Sequence, residues 1–157
     1  MYMQYAIKAA KKSGKEIPVG AVIVQEKEIL AVTCNQIETD NVVTSHAEIL
    51  ALQAASKILN RRRLTDCELY VTLEPCPMCA WAILQAGIKR VCFGAYDLNY
   101  GALGSKLDLR EVSNSKTQVC GGIMEQECRK LLEEYFHRLR SNKFNRFHPD
   151  EKDKSSH

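Results

Sequence analysis

No stretch of this chain approaches the ~20 consecutive apolar residues that a membrane-crossing helix needs. The N-terminus, Met1 to Lys15, alternates apolar and basic residues and lacks the continuous apolar core of a signal peptide. There is no internal repeat, no low-complexity segment and no linker rich in Pro, Gly or Ser. These absences argue against a helical membrane protein, a solenoid and a string of domains. They predict one cytoplasmic domain over residues 1–149, followed by a polar, disordered tail from Asp150 to His157. A strong excess of one charge is also missing. There are 22 Lys and Arg against 19 Asp and Glu, a net charge of +3. That balance does not mark a nucleic-acid-binding protein, so the placement of the charges matters more than their sum.

A disulfide framework is excluded in the same way. The cysteine count is seven, an odd number, in a chain without secretion signals. Cys34, Cys67 and Cys92 lie in apolar, strand-like runs and read as small buried hydrophobes. There is only one C-x-x-C, Cys76 to Cys79. By itself it is a redox pair or half a structural zinc site. A structural site takes four protein ligands, and no second pair exists to supply them.

What the chain does have is His46-Ala47-Glu48 upstream of Pro75-Cys76-Pro77-Met78-Cys79. H-x-E followed by P-C-x-x-C is the ligand pattern of zinc-dependent nucleobase deaminases. The chemistry explains the residue types. A catalytic zinc takes three nitrogen or sulfur ligands and keeps a fourth position for water. Cys76 and Cys79, three apart, point the same way in the first turn of a helix. The prolines suit a helix start, where backbone N–H groups have no helical partner. The positive helix end favours the thiolate, the form that binds metal. His46 and Glu48 diverge on a helix, so one side chain holds the metal while the other reaches its bound water.

Hydrophobic patterning supplies the frame. Tyr2 to Lys12 reads as an amphipathic helix closed by Ser13-Gly14. Val19 to Val24 and Glu28 to Cys34 read as an antiparallel hairpin turning at Glu26-Lys27. Asn35 ends it, as a turn residue does. Asn41 to Ser45 reads as loop, with Ser45 as N-cap of a helix from His46 to Ile58 whose Ile49, Leu50, Leu52 and Ala54 pack inward. Glu48 also stands at the capping-box position of that helix, a role that competes with catalysis. Arg61 to Arg63 reads as a solvated loop. Cys67 to Leu73 is a third strand, Met78 to Ala86 a helix ended by Gly87, and Arg90 to Ala95 a fourth strand. The alternation indicates parallel strands joined by right-handed crossovers, with the site beyond the strand ends. Asp97 to Lys106 is a loop and Thr117 to Cys120 an edge strand. A long helix runs from Ile123 to about Ser141, with Leu131, Leu132, Tyr135, Phe136 and Leu139 as its apolar stripe. Its far end carries Arg138, Arg140, Lys143 and Arg146, interleaved with Phe144, Phe147 and His148. That mixture suits single-stranded nucleic acid; it equally suits a helix C-terminus, which prefers positive charge.

From about Ile17 to the end of the last helix, the chain resembles bacterial tRNA-specific adenosine deaminases. The resemblance is carried by Pro18-Val19-Gly20-Ala21-Val22, His46-Ala47-Glu48-Ile49, Tyr70 to Cys76, Met78-Cys79-Ala80, Val91 to Ala95 and Gly101-Ala102-Leu103-Gly104-Ser105. It implies a cytidine deaminase-like α/β fold: a three-layer α/β/α sandwich with a five-stranded mixed sheet, in a homodimer with one zinc ion per subunit. It implies His46, Cys76 and Cys79 as metal ligands and Glu48 as proton shuttle. Asn35, Ala47 and Asp97 are implied to meet the substrate, and the basic C-terminal helix to meet a tRNA anticodon stem-loop. Two residues depart from the pattern: Trp81 where a small residue is usual, and Tyr96 where arginine is common. The implied reaction is hydrolytic deamination of the wobble adenosine to inosine. The rival reading is a deaminase of free guanine or cytidine on the same fold. A further rival is a non-catalytic RNA-binding protein with structural zinc, against which Glu48 speaks.

Overall fold

The structure is a computed structural model and describes residues 1–147. The N-terminal helix α1 (Tyr2–Lys11) leads into a hairpin of β1 (Gly20–Gln25) and β2 (Glu28–Cys34). A short helix α2 (Ile37–Asp40) and a longer α3 (Ala47–Leu59) follow. Then come β3 (Cys67–Leu73), α4 (Pro77–Ala86), β4 (Arg90–Ala95), a short α5 (Arg110–Ser113), β5 (Gln118–Cys120) and α6 (Glu125–Phe147).

The strands form one five-stranded sheet in the order β2-β1-β3-β4-β5. Strand β1 is antiparallel to both β2 and β3, while β3–β4 and β4–β5 are parallel. Strands β2 to β5 therefore all point one way, as the alternating pattern predicted, and β1 alone opposes them. The hairpin turns at Glu26 and Lys27, both with positive φ, the geometry that matches the twist of a two-residue hairpin loop.

Helices α3 and α4 cover one face of the sheet, where Ala51, Leu52, Ala55, Ile83 and Leu84 meet Ile23, Leu69, Val71 and Val91. Helices α1 and α6 cover the other, where Met3, Ile7, Cys128 and Leu131 meet Val22 and Val24. This is the expected three-layer sandwich. Close packing of α1 depends on Gly20, where a Cβ would lie 1.9 Å from the Ala6 carbonyl oxygen.

Several local expectations are corrected. The N-cap of α3 is His46, not Ser45. Ser45 is instead buried, and its carbonyl accepts from the Gln36 amide. The inward face of α3 is Ala47, Ala51, Leu52 and Ala55, with Ala54 packed beside it as expected; Ile49 and Leu50 are only part-buried. Alanines let the helix lie close to the sheet, so the larger residues fall on its flanks. Phe136 and Leu139 on α6 are exposed, because they lie away from the side of the helix whose Tyr135 and Arg138 face the end of α1 and the segment after it. The helix also runs beyond Ser141. His148 and the tail from Asp150 to His157 lie outside the described residues.

Candidate metal centre

The parallel strands bring three loops to one end of the sheet. After β2 the chain delivers Asn35 and then His46 and Glu48; after β3 it delivers Cys76 and Cys79; after β4 it delivers Asp97. His46 and Cys76 are the N-cap residues of α3 and α4, each with extended backbone and neither using its side chain to cap. Their side chains are thus free to face each other across two helix N-termini. Pro77 occupies the first turn of α4, and Cys79 follows in the same turn.

His46, Cys76 and Cys79 each offer one ligand atom, and the three atoms lie within 4.8 Å of one another. The His46 Nδ1 and Cys76 Sγ atoms are 3.8 Å apart. One imidazole nitrogen and two thiols at this spacing fit a tetrahedral ion with bonds of about 2.0 to 2.3 Å, a geometry typical of zinc. No other such group of ligating side chains occurs among the described residues.

The electrostatics favour a thiolate at Cys76. Cys76 is held down to about 4, first by the Cys79 thiol donating to it and then by His46, against the opposing effect of burial. Cys79 is pushed up, because it supplies that hydrogen bond and is itself buried. His46 is raised, chiefly by its contact with Cys76. Glu48 is buried, and that burial pushes its carboxyl above the usual range, with Cys76 adding to the effect. A buried carboxyl raised in this way beside a ligand cluster is a candidate for proton transfer.

Asn35 is buried too and makes more of its side chain than a turn residue does. Its Nδ2 donates to the Ile17 carbonyl at 3.1 Å, and its Oδ1 accepts from the Ala47 amide at 2.9 Å. The Ala47 carbonyl accepts from the Thr33 hydroxyl at 2.6 Å. The peptide between His46 and Glu48 is thereby fixed on both sides. One hydrogen on Asn35 Nδ2 is left for another acceptor. Asp97 is half-buried, and its Oδ1 accepts from the Asn99 and Tyr100 amides. Arg138, Arg140, Lys143 and Arg146 are exposed along α6. The structure gathers the candidate metal ligands, Glu48, Asn35 and Ala47 closely; it sets Asp97 on the neighbouring loop and the α6 cations on a separate helix.

Two buried carboxylates have no counterpart among the residues singled out from the sequence. Glu16 is buried and accepts from the Glu38 and Thr39 amides and the Thr39 hydroxyl. It therefore caps α2 from across the chain and pins the segment between Asn35 and His46. Glu74, also buried, accepts from Asp97, Leu103 and Ser105 in the loop after β4. Their signal in the sequence is faint: a single acid beside an apolar strand, without its distant donors, looks like a surface residue.

Such a site on such a sheet defines a zinc-binding deaminase. Residues 1–95 match the cytidine and deoxycytidylate deaminase zinc-binding region, and the chain belongs to that family. Within it, the chain belongs with the tRNA-specific adenosine deaminases. It is 42% identical over 147 residues to the tRNA-specific adenosine deaminase of Bacillus subtilis, covering 91% of each chain. A solved structure from work on A-to-I editing by tRNA:A34 deaminases at the wobble position superposes with a TM-score of 0.78 at 36% identity. It covers 83% of this chain and 98% of that one. A guanine deaminase from Bacillus subtilis is 40% identical, but covers only 60% of this chain and 62% of its own, with a TM-score of 0.59.

Proposed function

We propose that this protein hydrolytically deaminates the wobble adenosine of a tRNA anticodon to inosine, with one zinc ion held by His46, Cys76 and Cys79 of each subunit. The observation that carries the reading is Glu48: a buried carboxyl with a raised pKa, one residue past the peptide that Asn35 and Thr33 fix. When bound, zinc supplies the Lewis acidity that makes a water nucleophilic near neutral pH.

The remaining steps belong to the chain. Glu48 accepts the proton of the attacking water and delivers it to N1 of adenine as C6 becomes tetrahedral. It then takes the remaining proton from the C6 hydroxyl and passes it to the departing amine, so the C6–N bond breaks, ammonia leaves and the carbonyl of inosine forms. Asn35 orients the base through its remaining Nδ2 hydrogen, and the backbone of Ala47 forms part of the wall behind it. Asp97 and its loop border the ribose side. The target base leaves the stack to enter the site, at small cost in a loop that is already single-stranded. The α6 cations Arg138, Arg140, Lys143 and Arg146 contact the phosphates of the stem-loop.

The working unit is a homodimer in the cytoplasm. The support for the dimer is the outer side of α4, where Met78 and Trp81 are exposed at 37% and 43%. Large apolar residues one turn apart beside a metal site are the composition of an interface centre. A free-base reading is favoured by one observation, the partial match to a guanine deaminase.

The direct test is Glu48→Gln in zinc-loaded protein with an adenosine stem-loop. The variant should keep its zinc and its RNA affinity while turnover falls by at least about 100-fold. Turnover within a few-fold of wild type would sink the proposed proton shuttle.

A further inference from the structure

We propose that Glu74 is a positioning residue for the substrate-side loop. It fixes the segment from Asp97 to Ser105 against the metal cradle, so that RNA meets a wall already in place. The proposal rests on the adenosine-deamination reading above.

Glu74 sits between β3 and Cys76 and is 2% exposed. No cation pairs with it among the described residues. The donors to its side-chain oxygens all come from the loop after β4. Oε1 accepts from the Asp97 amide at 3.3 Å and from the Ser105 hydroxyl. Oε2 accepts from the Leu103 amide at 3.2 Å and the Ser105 amide at 3.1 Å. Four donors fill the acceptor positions of a carboxylate. They come from both ends of one loop, so the carboxylate acts as its hub.

The wrapping is tight. A Cβ on Gly101 would lie 2.4 Å from Glu74 Oε2 and 2.4 Å from the Asp97 carbonyl oxygen. The peptide beside Glu74 joins the same arrangement, since the Ala102 amide donates to the Pro75 carbonyl at 2.9 Å. Loop and cradle are thus bonded through Glu74 and Pro75, the two residues that lead into Cys76. Ala102 and Leu103 anchor the far end of the loop in the core, but Leu98 and Tyr100 are 78% and 69% exposed, so the Asp97 end has no buried apolar side chain to hold it. Without the hub the loop must be ordered by the incoming RNA, and that ordering is taken from binding free energy. The cost therefore appears in KM.

The experiment compares Glu74→Gln, Ser105→Ala and Ser105→Thr, all zinc-loaded, by stem-loop kinetics and amide hydrogen exchange. In Glu74→Gln an NH2 group faces N–H donors, and KM should rise at least about 10-fold with kcat within about 3-fold. Ser105→Ala removes one donor without touching Glu74, so it serves even if the glutamine variant folds poorly. Its KM should rise by about 3- to 10-fold, and Ser105→Thr, which restores the hydroxyl, should return it. In both loosened variants exchange should speed up in residues 97–105 while zinc content and exchange in α3 and α4 stay as in wild type. Unchanged KM and unchanged loop exchange would overturn the proposal. So would a uniform loss of zinc, kcat and thermal stability, which would make Glu74 a general fold residue. Wild-type protein inactive on the stem-loop would instead overturn the adenosine reading, and the exchange data tell the two failures apart.

Discussion

At the residue scale, the buried carboxylates divide the work between them. In the proposed mechanism Glu48 handles protons, while Glu16 and Glu74 hold backbone amides. Glu16 sits where burial would raise its pKa, yet the Glu38 and Thr39 amides and the Thr39 hydroxyl together hold it below the usual value. A carboxyl depressed in the folded state contributes stability above its unfolded pKa of about 4.3, and loses it as pH falls through the folded value. Glu16→Gln should therefore destabilise the protein by about 2 kcal/mol between pH 5 and 8. The gap to wild type should narrow below about pH 4 as Glu16 itself becomes protonated. Thermal unfolding against pH checks this; a gap that widened in acid would refute it. Replacing His46 by Ala removes the only nitrogen among the three ligands, so the purified variant should carry much less zinc than wild type. Metal analysis by mass spectrometry reads the outcome.

At the element scale, α3 and α4 present their N-termini to one point, and α6 and the outer side of α4 remain for partners. If Trp81 lies at a subunit interface, Trp81→Glu buries an unpaired charge there and should shift sedimentation from dimer to monomer at micromolar concentration. A species that is monomeric before and after the change would remove the dimer from the account. Along α6, Lys143→Gln with Arg146→Gln should weaken stem-loop binding. It should also flatten the salt dependence by about 0.7 in log–log slope for each phosphate left without its cation. The sequence was most legible at this scale. Strands β1 to β4 and helices α1, α3 and α4 show through because their hydrophobic periods are strong and their ends carry Gly, Asn or Pro. Helices α2 and α5, four residues each, were invisible, since α2 is held by Glu16 from a distant part of the chain rather than by its own pattern. The extra length of α6 was hidden for the opposite reason: it rests on local helix preference beyond the core, where no apolar stripe marks it.

At the scale of the whole molecule, one parallel set of strands carries every candidate site residue to the same end except the α6 cations. The cluster of His46, Cys76 and Cys79 could be read from the sequence because metal chemistry dictates both residue type and spacing. The hydrogen bonds of Asn35 to Ala47 and of Glu74 to the loop could not, since they join residues brought together only by the fold. Substrate choice is a property of this whole end of the molecule, not of the zinc site, which other deaminases share.

The measurement that addresses it most directly is turnover by zinc-loaded wild-type protein of a short anticodon stem-loop with a wobble adenosine. Free adenosine, guanine and cytidine are assayed in parallel. The account predicts inosine in the stem-loop at the wobble position and no product from the free compounds. Release of ammonia from free guanine or cytidine, with the stem-loop untouched, would contradict it and assign the same metal centre to a small-molecule deaminase.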